Sequence, residues 1–550
     1  MTDFAKDNGH PAPDRLLLQA DVLVLGGGPA GAWAAIAASE AGARVVLADK
    51  GYFGTSGATA PSNTGTWCVP PSEDRAEAVE RRMPRTLGLG DRRWMLRTVD
   101  QSYAGLTRLV EWGYPFPSDA EGNLYIANLR GPDYMRFMRA RVRAAGVRVL
   151  DHHPALELLS DGEAITGCAG LDRRTGRDWQ VDAGAVVLAT GGCAFFERNM
   201  GAAGLTGDGL LMAAEAGALL SGMEFTGKYT MAPYGSSLNK GLPFRWASFH
   251  AEDGSPLRNA KGEPLVNGIG GASERDIVAA MIAGPVHARL DLAQGALREW
   301  LRRGQPNVMQ PYDRKGIDPF TELFRVELKP EGTVRGTGGI RVATHDCGTG
   351  IPGLYVAGDA ASREDVAGAM SGGGSTNASW AIASGWWSGT GAAGHAARRS
   401  APRRFRRTSA PLGTAGLRPR HRAEPLDTKM LAAAIRSEMA PLSKNYTRSG
   451  DRLAESLGTL DRLWTAVADH LGGEGKGRLR HREIAGAMAA ARWTLTAAAA
   501  RRESRGIHRR TDFPDAAPGP VRRYLLSGLD RIEVQVEAEE PAAREREQAS

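Results

Sequence analysis

The sequence predicts an α/β chain: a Rossmann-like dinucleotide-binding domain, interrupted by an α+β cap domain and followed by a helical C-terminal domain. Three observations predict it. First, an apolar run from Ala20 to Leu25 enters a glycine-rich turn. An alanine-rich helix from Ala32 to Ala41 follows, and then a second β-branched run that closes on Asp49. Second, two more strand-and-turn segments, Ala185–Gly192 and Gly353–Ala361, complete such a domain, the latter about 330 residues after the first turn. Third, the chain beyond Pro425 carries long alanine-rich stretches with helical spacing.

Each part of the first unit has a physical task. Gly26 permits the tight turn, Gly28 lets the backbone approach a pyrophosphate, and Gly31 lets helix and strand pack closely. Pro29 and Ala30 lie between them, where the helix N-terminus faces the phosphates. Asp49 is spaced to accept hydrogen bonds from a ribose diol. Lys50, Thr55, Ser56 and Gly57 follow it on the cofactor side. Thr190 and Gly191 end a buried strand, and Asp208 opens a helix. Gly358 and Asp359 end a third strand, where the acid can hold a ribityl hydroxyl. Ser375 and Thr376 sit in the last glycine-rich loop. Four such segments in this order point to FAD, bound by a domain split by an insertion.

The expected division is a disordered tail over 1–19, the cofactor domain over 20–228 and 338–397, and a cap over 229–337. An arginine-rich linker over 398–424, a helical domain over 425–537 and a frayed tail over 538–550 complete it. The run Arg531–Glu537 alternates strictly and predicts a half-exposed strand. Of the net +7 charge, nine arginines fall between Arg398 and Ala423 with no acid, leaving the rest of the chain at −2. That window reads as a solvated tether, so no nucleic-acid role is expected. The four cysteines lie far apart, which excludes a self-contained iron–sulfur or zinc site and suits a reducing cytoplasm. His152 and His153 read as neighbours on a strand-to-turn segment, facing opposite ways, and hold no metal. Cys193 reads as a packing residue. No signal peptide and no membrane span are expected.

The order of these signals resembles the flavoprotein subunits of succinate dehydrogenase and fumarate reductase, a family that includes L-aspartate oxidase and the adenylylsulfate reductase flavin subunit. Two further segments carry the likeness. Ser273-Glu-Arg275-Asp276 is similar to the family's cap-domain Arg-Asp-Val-Val motif, and Glu503-Ser-Arg505-Gly-Ile-His508-Arg-Arg510 to its C-terminal Glu-Ser-Arg-Gly-x-His-x-Arg motif. The resemblance implies hydride transfer between a small organic substrate and flavin N5, with Arg275 as proton carrier and Asp276 orienting it. It also leaves open a role beside a separate iron–sulfur protein, as in adenylylsulfate reductase.

The departures concern the substrate. Tyr229, after a strand expected at Met223-Glu224-Phe225, stands where the family has the histidine of its His-Pro-Thr, Trp246-Ala247 replaces its Thr-Glu pair, Val334 replaces a second histidine, and Met370 replaces an arginine. With those carboxylate contacts gone, succinate, fumarate and aspartate are not the expected substrates. Lys228, Tyr229 and Trp246 read instead as a pocket for a planar group beside an anion, with Arg335 and Arg363 as anion contacts. No histidine lies in Thr55–Thr59, where succinate dehydrogenase attaches its flavin, so non-covalent FAD is expected.

Overall fold

The computed structural model describes residues 15–268, 273–304, 306–399 and 409–538. The chain opens with β1 (Arg15–Leu25), α1 (Pro29–Glu40) and β2 (Val45–Ala48). The same sheet then gains β3 (Arg148–Leu150), β4 (Ala155–Ser160), β5 (Ile165–Leu171) and the long β6 (Asp178–Leu188), which leads to α2 (Asp208–Glu215). The cap follows with β7 (Tyr229–Pro233), β8 (Ser248–His250), α3 (Glu274–Ala283), β9 (Val286–Arg289) and β10 (Phe324–Pro330). The chain returns to the first sheet with β11 (Leu354–Val356), α4 (Gly373–Arg399) and β12 (Ala410–Pro411). It finishes with α5 (Thr428–Met439), α6 (Gly450–His470), α7 (Gly477–Ala500), β13 (Tyr524–Ser527) and β14 (Glu533–Val536).

β6 is the hub of the main sheet. One edge runs parallel to β1 along most of its length. The other edge pairs antiparallel with β5 over its first half and parallel with β11 over its second. Val22–Leu25 and Ala185–Leu188 are buried throughout, because helices cover a parallel sheet on both faces. The carboxyl ends of β1, β2, β6 and β11 therefore open on one cleft, where ligands of such sheets bind. The cap is a separate four-stranded antiparallel sheet, ordered β7-β10-β9-β8. It has its own core, including Met231, Phe249, Ile277, Tyr312 and Phe324.

Four expectations are corrected here. The N-terminal tail stops short of residue 19: β1 starts at Arg15, since Arg15–Gln19 pair with Asp178–Asp182 of β6. Residues 1–14 lie outside the described residues. The arginine-rich segment is not a free tether where it is described. Ala410–Pro411 extend the edge of β4, and Arg418 grips both carboxylate oxygens of Glu157 at 2.6 and 2.9 Å. The arginine count gave no sign that fixed acids lay nearby; residues 400–408 lie outside the described residues. Met223–Phe225 form a buried turn rather than a strand, closed by the Phe225 N–H on the Gly222 carbonyl at 3.0 Å. His152 occupies the left-handed region of a turn, not a strand end.

The C-terminal domain is bound to the cofactor domain by charge. Arg482 of α7 pairs with Glu215 of α2, both nearly fully buried. Glu483 pairs with Lys50 at 2.9 Å. The Glu503–Arg510 segment packs on the loop before α4, with the Ile507 N–H on the Ala369 carbonyl at 3.1 Å. No described helix is long and apolar enough to cross a membrane. All four cysteines are free thiols.

Candidate active site

A cleft of about 440 Å³ runs along the carboxyl ends of the parallel strands. It is lined by Gly26, Gly28, Pro29, Ala30, Asp49, Lys50, Thr55, Ser56, Gly57, Thr190, Gly191, Asp208, Gly358 and Asp359, and by Arg335 from the cap. Asp49 follows β2 and Asp359 follows β11. The strand order β2-β1-β6-β11 sets those strands three spacings apart, roughly 14 Å.

At the Asp49 end the backbone does the shaping. Gly26 sits at φ +110°, and a Cβ there would lie 2.2 Å from the Ala189 carbonyl oxygen. A Cβ on Gly31 would lie 1.9 Å from the Gly26 carbonyl oxygen, so this glycine packs the turn and does not itself line the cleft. Asp49 is buried and fixed. One oxygen accepts the Gly27 N–H at 2.6 Å, and the other accepts the Gly51 N–H at 2.7 Å and the Ser56 hydroxyl at 2.9 Å. Lys50 donates to Asp208 at 2.8 Å and to Thr206 at 2.9 Å, so its charge joins β2, α2 and α7.

These residues fit FAD. A Cβ on Gly28, Gly57, Gly204, Gly373 or Gly374 would meet no protein atom within 4 Å. The buried Thr190 hydroxyl and Asn377 amide oxygen have no partner among the described residues. The N-termini of α1 and α4 both reach the cleft, where their free N–H groups favour phosphate. Gly373, Gly374, Asn377 and Ala378 of α4, and Arg173 on the loop after β5, are lining residues that sequence reasoning missed. Ser375 and Thr376 are not among the lining residues. Thr376 is buried and accepts a hydrogen bond from Arg82, and the Ser375 carbonyl accepts the Trp67 N–H at 3.3 Å. On the helical turn that α4 starts here, Gly373, Gly374 and Asn377 share the cleft side.

At the Asp359 end a turn after β10, Gly332–Arg335, is held from two sides. The Thr333 hydroxyl accepts the Cys193 N–H at 2.7 Å, and its own N–H donates to the Cys193 carbonyl at 3.1 Å. Gly332, at φ +55°, lies too close to that carbonyl for any Cβ. On the other side Arg363, fully buried, donates to the Thr333 carbonyl at 2.7 Å and to the Gly336 carbonyl, and pairs with Asp359. Arg363 is thus a brace, not the anion contact expected of it. Burial pushes the Asp359 carboxyl above the usual range, with Arg363 pulling the other way. Burial pushes the Cys193 thiol up to about 12, in keeping with a packing role.

The other expected substrate residues are not brought together. Tyr229 is buried against Tyr446 and Val278, and its hydroxyl donates to the Ala440 carbonyl at 3.0 Å. Trp246 packs on the cap core. Lys228 lies outside the cleft lining, and burial holds its ammonium below the usual lysine range, with Glu274 pulling the other way. Arg275 and Asp276 are exposed in the first turn of α3, away from the cleft lining. Lys240, unremarked in the sequence, lines the cleft beside Arg335.

The FAD binding domain family model matches residues 21–376, and the fumarate reductase flavoprotein C-terminal model matches residues 443–534. The chain belongs to the succinate dehydrogenase and fumarate reductase flavoprotein family. As a member it is an FAD-dependent oxidoreductase. It is 29% identical to the L-aspartate oxidase of Streptomyces coelicolor, over 94% of this chain and 93% of that one. It is 30% identical to the L-aspartate oxidase of Mycobacterium leprae, over 93% and 96%. Its fold matches a quinol-fumarate reductase with menaquinol at a TM-score of 0.80 and 20% identity, over 96% of this chain and 99% of that chain.

These relatives overturn the expectation that excluded aspartate. That expectation counted carboxylate-binding side chains missing at family positions. It named Arg335 as an anion contact but missed Lys240, a second cation that the cap brings to the same cleft.

Proposed function

We propose that this flavoprotein takes two electrons from a small carboxylate-bearing substrate, with L-aspartate the first to test. The observation that carries the reading is Arg335, a cleft-lining guanidinium at the Asp359 end, on a turn braced by Arg363 and Cys193. A guanidinium offers a carboxylate two parallel hydrogen bonds and stays charged at any working pH. The L-aspartate oxidase relatives support the same class of substrate.

FAD, when bound, supplies the hydride acceptor. The protein's part is to hold and orient. Asp49 takes a ribose, the N-termini of α1 and α4 take phosphates, and Thr190 and Asn377 satisfy polar atoms of the cofactor. Arg335 then fixes the substrate by its carboxylate, so that the reacting carbon is presented in one orientation. Among the described residues no histidine lines the cleft, and non-covalent attachment is part of this reading. In this reading the chain works alone, without the iron–sulfur partner implied by the adenylylsulfate reductase likeness. Anaerobic mixing of the yellow holoenzyme with L-aspartate is expected to bleach the flavin, and oxygen to restore it. A flavin that L-aspartate leaves oxidised overturns the reading.

A further inference from the structure

Lys240 reaches the cleft from a pinned loop of the cap. Leu238 and Asn239 before it are buried. The Asn239 amide donates to both oxygens of Glu331 at 3.2 and 3.3 Å, and the Ser237 carbonyl accepts the Met200 N–H at 2.8 Å. The Glu331 N–H donates to the Lys228 carbonyl at 2.9 Å, which ties β10's end to the start of β7. The charged groups facing Lys240 are Arg335 and Glu331, both from the turn after β10. Asp359, across the cleft, is engaged with Arg363. The Lys240 ammonium has no hydrogen-bond partner among the described residues. Two cations from separate pieces of the cap thus line one cleft and act on each other; Asp359 is paired with Arg363, and Glu331, held by the neutral Asn239 amide, offsets them in part. Such a pair is costly while half-buried and is relieved by an anion between its members.

We infer that Lys240 and Arg335 form a two-cation seat for one carboxylate of the substrate, in place of the carboxylate contacts that Tyr229, Val334 and Met370 cannot make. The inference rests on the reading above and adds the residue that makes binding depend on pH. Burial, with Arg335 beside it, holds the Lys240 ammonium down to about 8. Below that value the seat carries two charges; above it, one. Anion affinity therefore falls as pH rises through this range.

The test uses FAD-loaded full-length protein and malonate, a dicarboxylate that a flavin cannot desaturate, followed by the shift of the flavin absorption band. The native protein is expected to bind malonate roughly tenfold more weakly at a pH one unit above the Lys240 value than at one unit below it. Lys240→Met is expected to bind weakly at both values. Lys240→Arg, which keeps its charge, is expected to bind tightly and evenly. Should Lys240→Met shed FAD, Lys240→Arg against the native protein still decides. A native affinity that does not change with pH, a Lys240→Met affinity equal to native, or no response to malonate overturns the seat. Failure of L-aspartate to bleach the flavin removes the substrate reading but leaves a malonate-binding seat standing, so the two failures are distinct.

Discussion

Beside Asp49 the cleft is built from backbone; beside Asp359 it is built from side chains. At the first end, Gly26, Gly28 and Gly31 lie within six residues of one another, and the acid they serve is 18 residues further on. At the second, Arg335, Lys240 and the Asp359–Arg363 pair come from three separate stretches, and the turns that carry Arg335 and Lys240 are placed by contacts with chain far away in sequence. A backbone cradle tolerates few residue types and so leaves a local signature. A side-chain site can be rebuilt from new positions while the fold stays fixed.

The largest expected effect comes from breaking the backbone end. Gly31→Val forces side-chain atoms into the Gly26 carbonyl and parts α1 from the turn. Purified protein is expected to carry no flavin absorbance, and a yellow variant with native FAD content would refute the close packing assigned to this glycine. Arg335→Met acts at the other end and should leave FAD content unchanged. It is expected to lower kcat/KM for a carboxylate substrate roughly a hundredfold, the scale of a lost charge-assisted contact in a partly buried site. Equal kcat/KM for variant and native protein would remove Arg335 from the site.

How much of each end was legible follows from the same contrast. The Gly26–Gly31 turn, Asp49, Thr190–Gly191 and Asp359 were readable because spacing along one strand-turn-helix unit fixes them in space. Lys240 was not, because nothing within ten residues of it marks it as facing the cleft; only the Asn239–Glu331 contact turns its loop inward. Tyr229 and Arg363 were named but misassigned. The first ends on the Ala440 carbonyl just after α5, and the second on carbonyls of the Arg335 turn, and neither partner is close in sequence. Ser375 and Thr376 were placed in the right loop and missed the cleft, since that loop is the first turn of α4 and only one side of it faces FAD.

Smaller effects test the joints between domains. Glu364 is fully buried with one carboxylate oxygen unpartnered among the described residues, as is Glu224 nearby. Burial, with Glu224 adding to it and Arg523 opposing, raises the Glu364 carboxyl above its ordinary value. A raised carboxyl is protonated in the folded chain where the unfolded chain has already ionised. Its contribution is thus full below the ordinary glutamate value and lost as pH rises through the folded value. Glu364→Gln is expected to flatten this part of the Tm-against-pH curve; an unchanged curve would show that Glu364 ionises normally. The smallest effect belongs to Arg418→Ala. Its side chain is 48% exposed beside Glu157, so the loss should stay below about 1 kcal/mol in a denaturant titration. A loss several times larger would mean that residues 409–424 anchor β4 more firmly than this ion pair accounts for.

The central claim is that one cleft holds FAD on its glycine-lined floor and a carboxylate on the cap cations. A crystal structure of the holoenzyme soaked with malonate tests it most directly. The expected density places a ribose on Asp49, the pyrophosphate at the N-termini of α1 and α4, and a malonate carboxylate between Arg335 and Lys240. Malonate bound elsewhere, with Arg335 and Lys240 turned out to solvent, would contradict it.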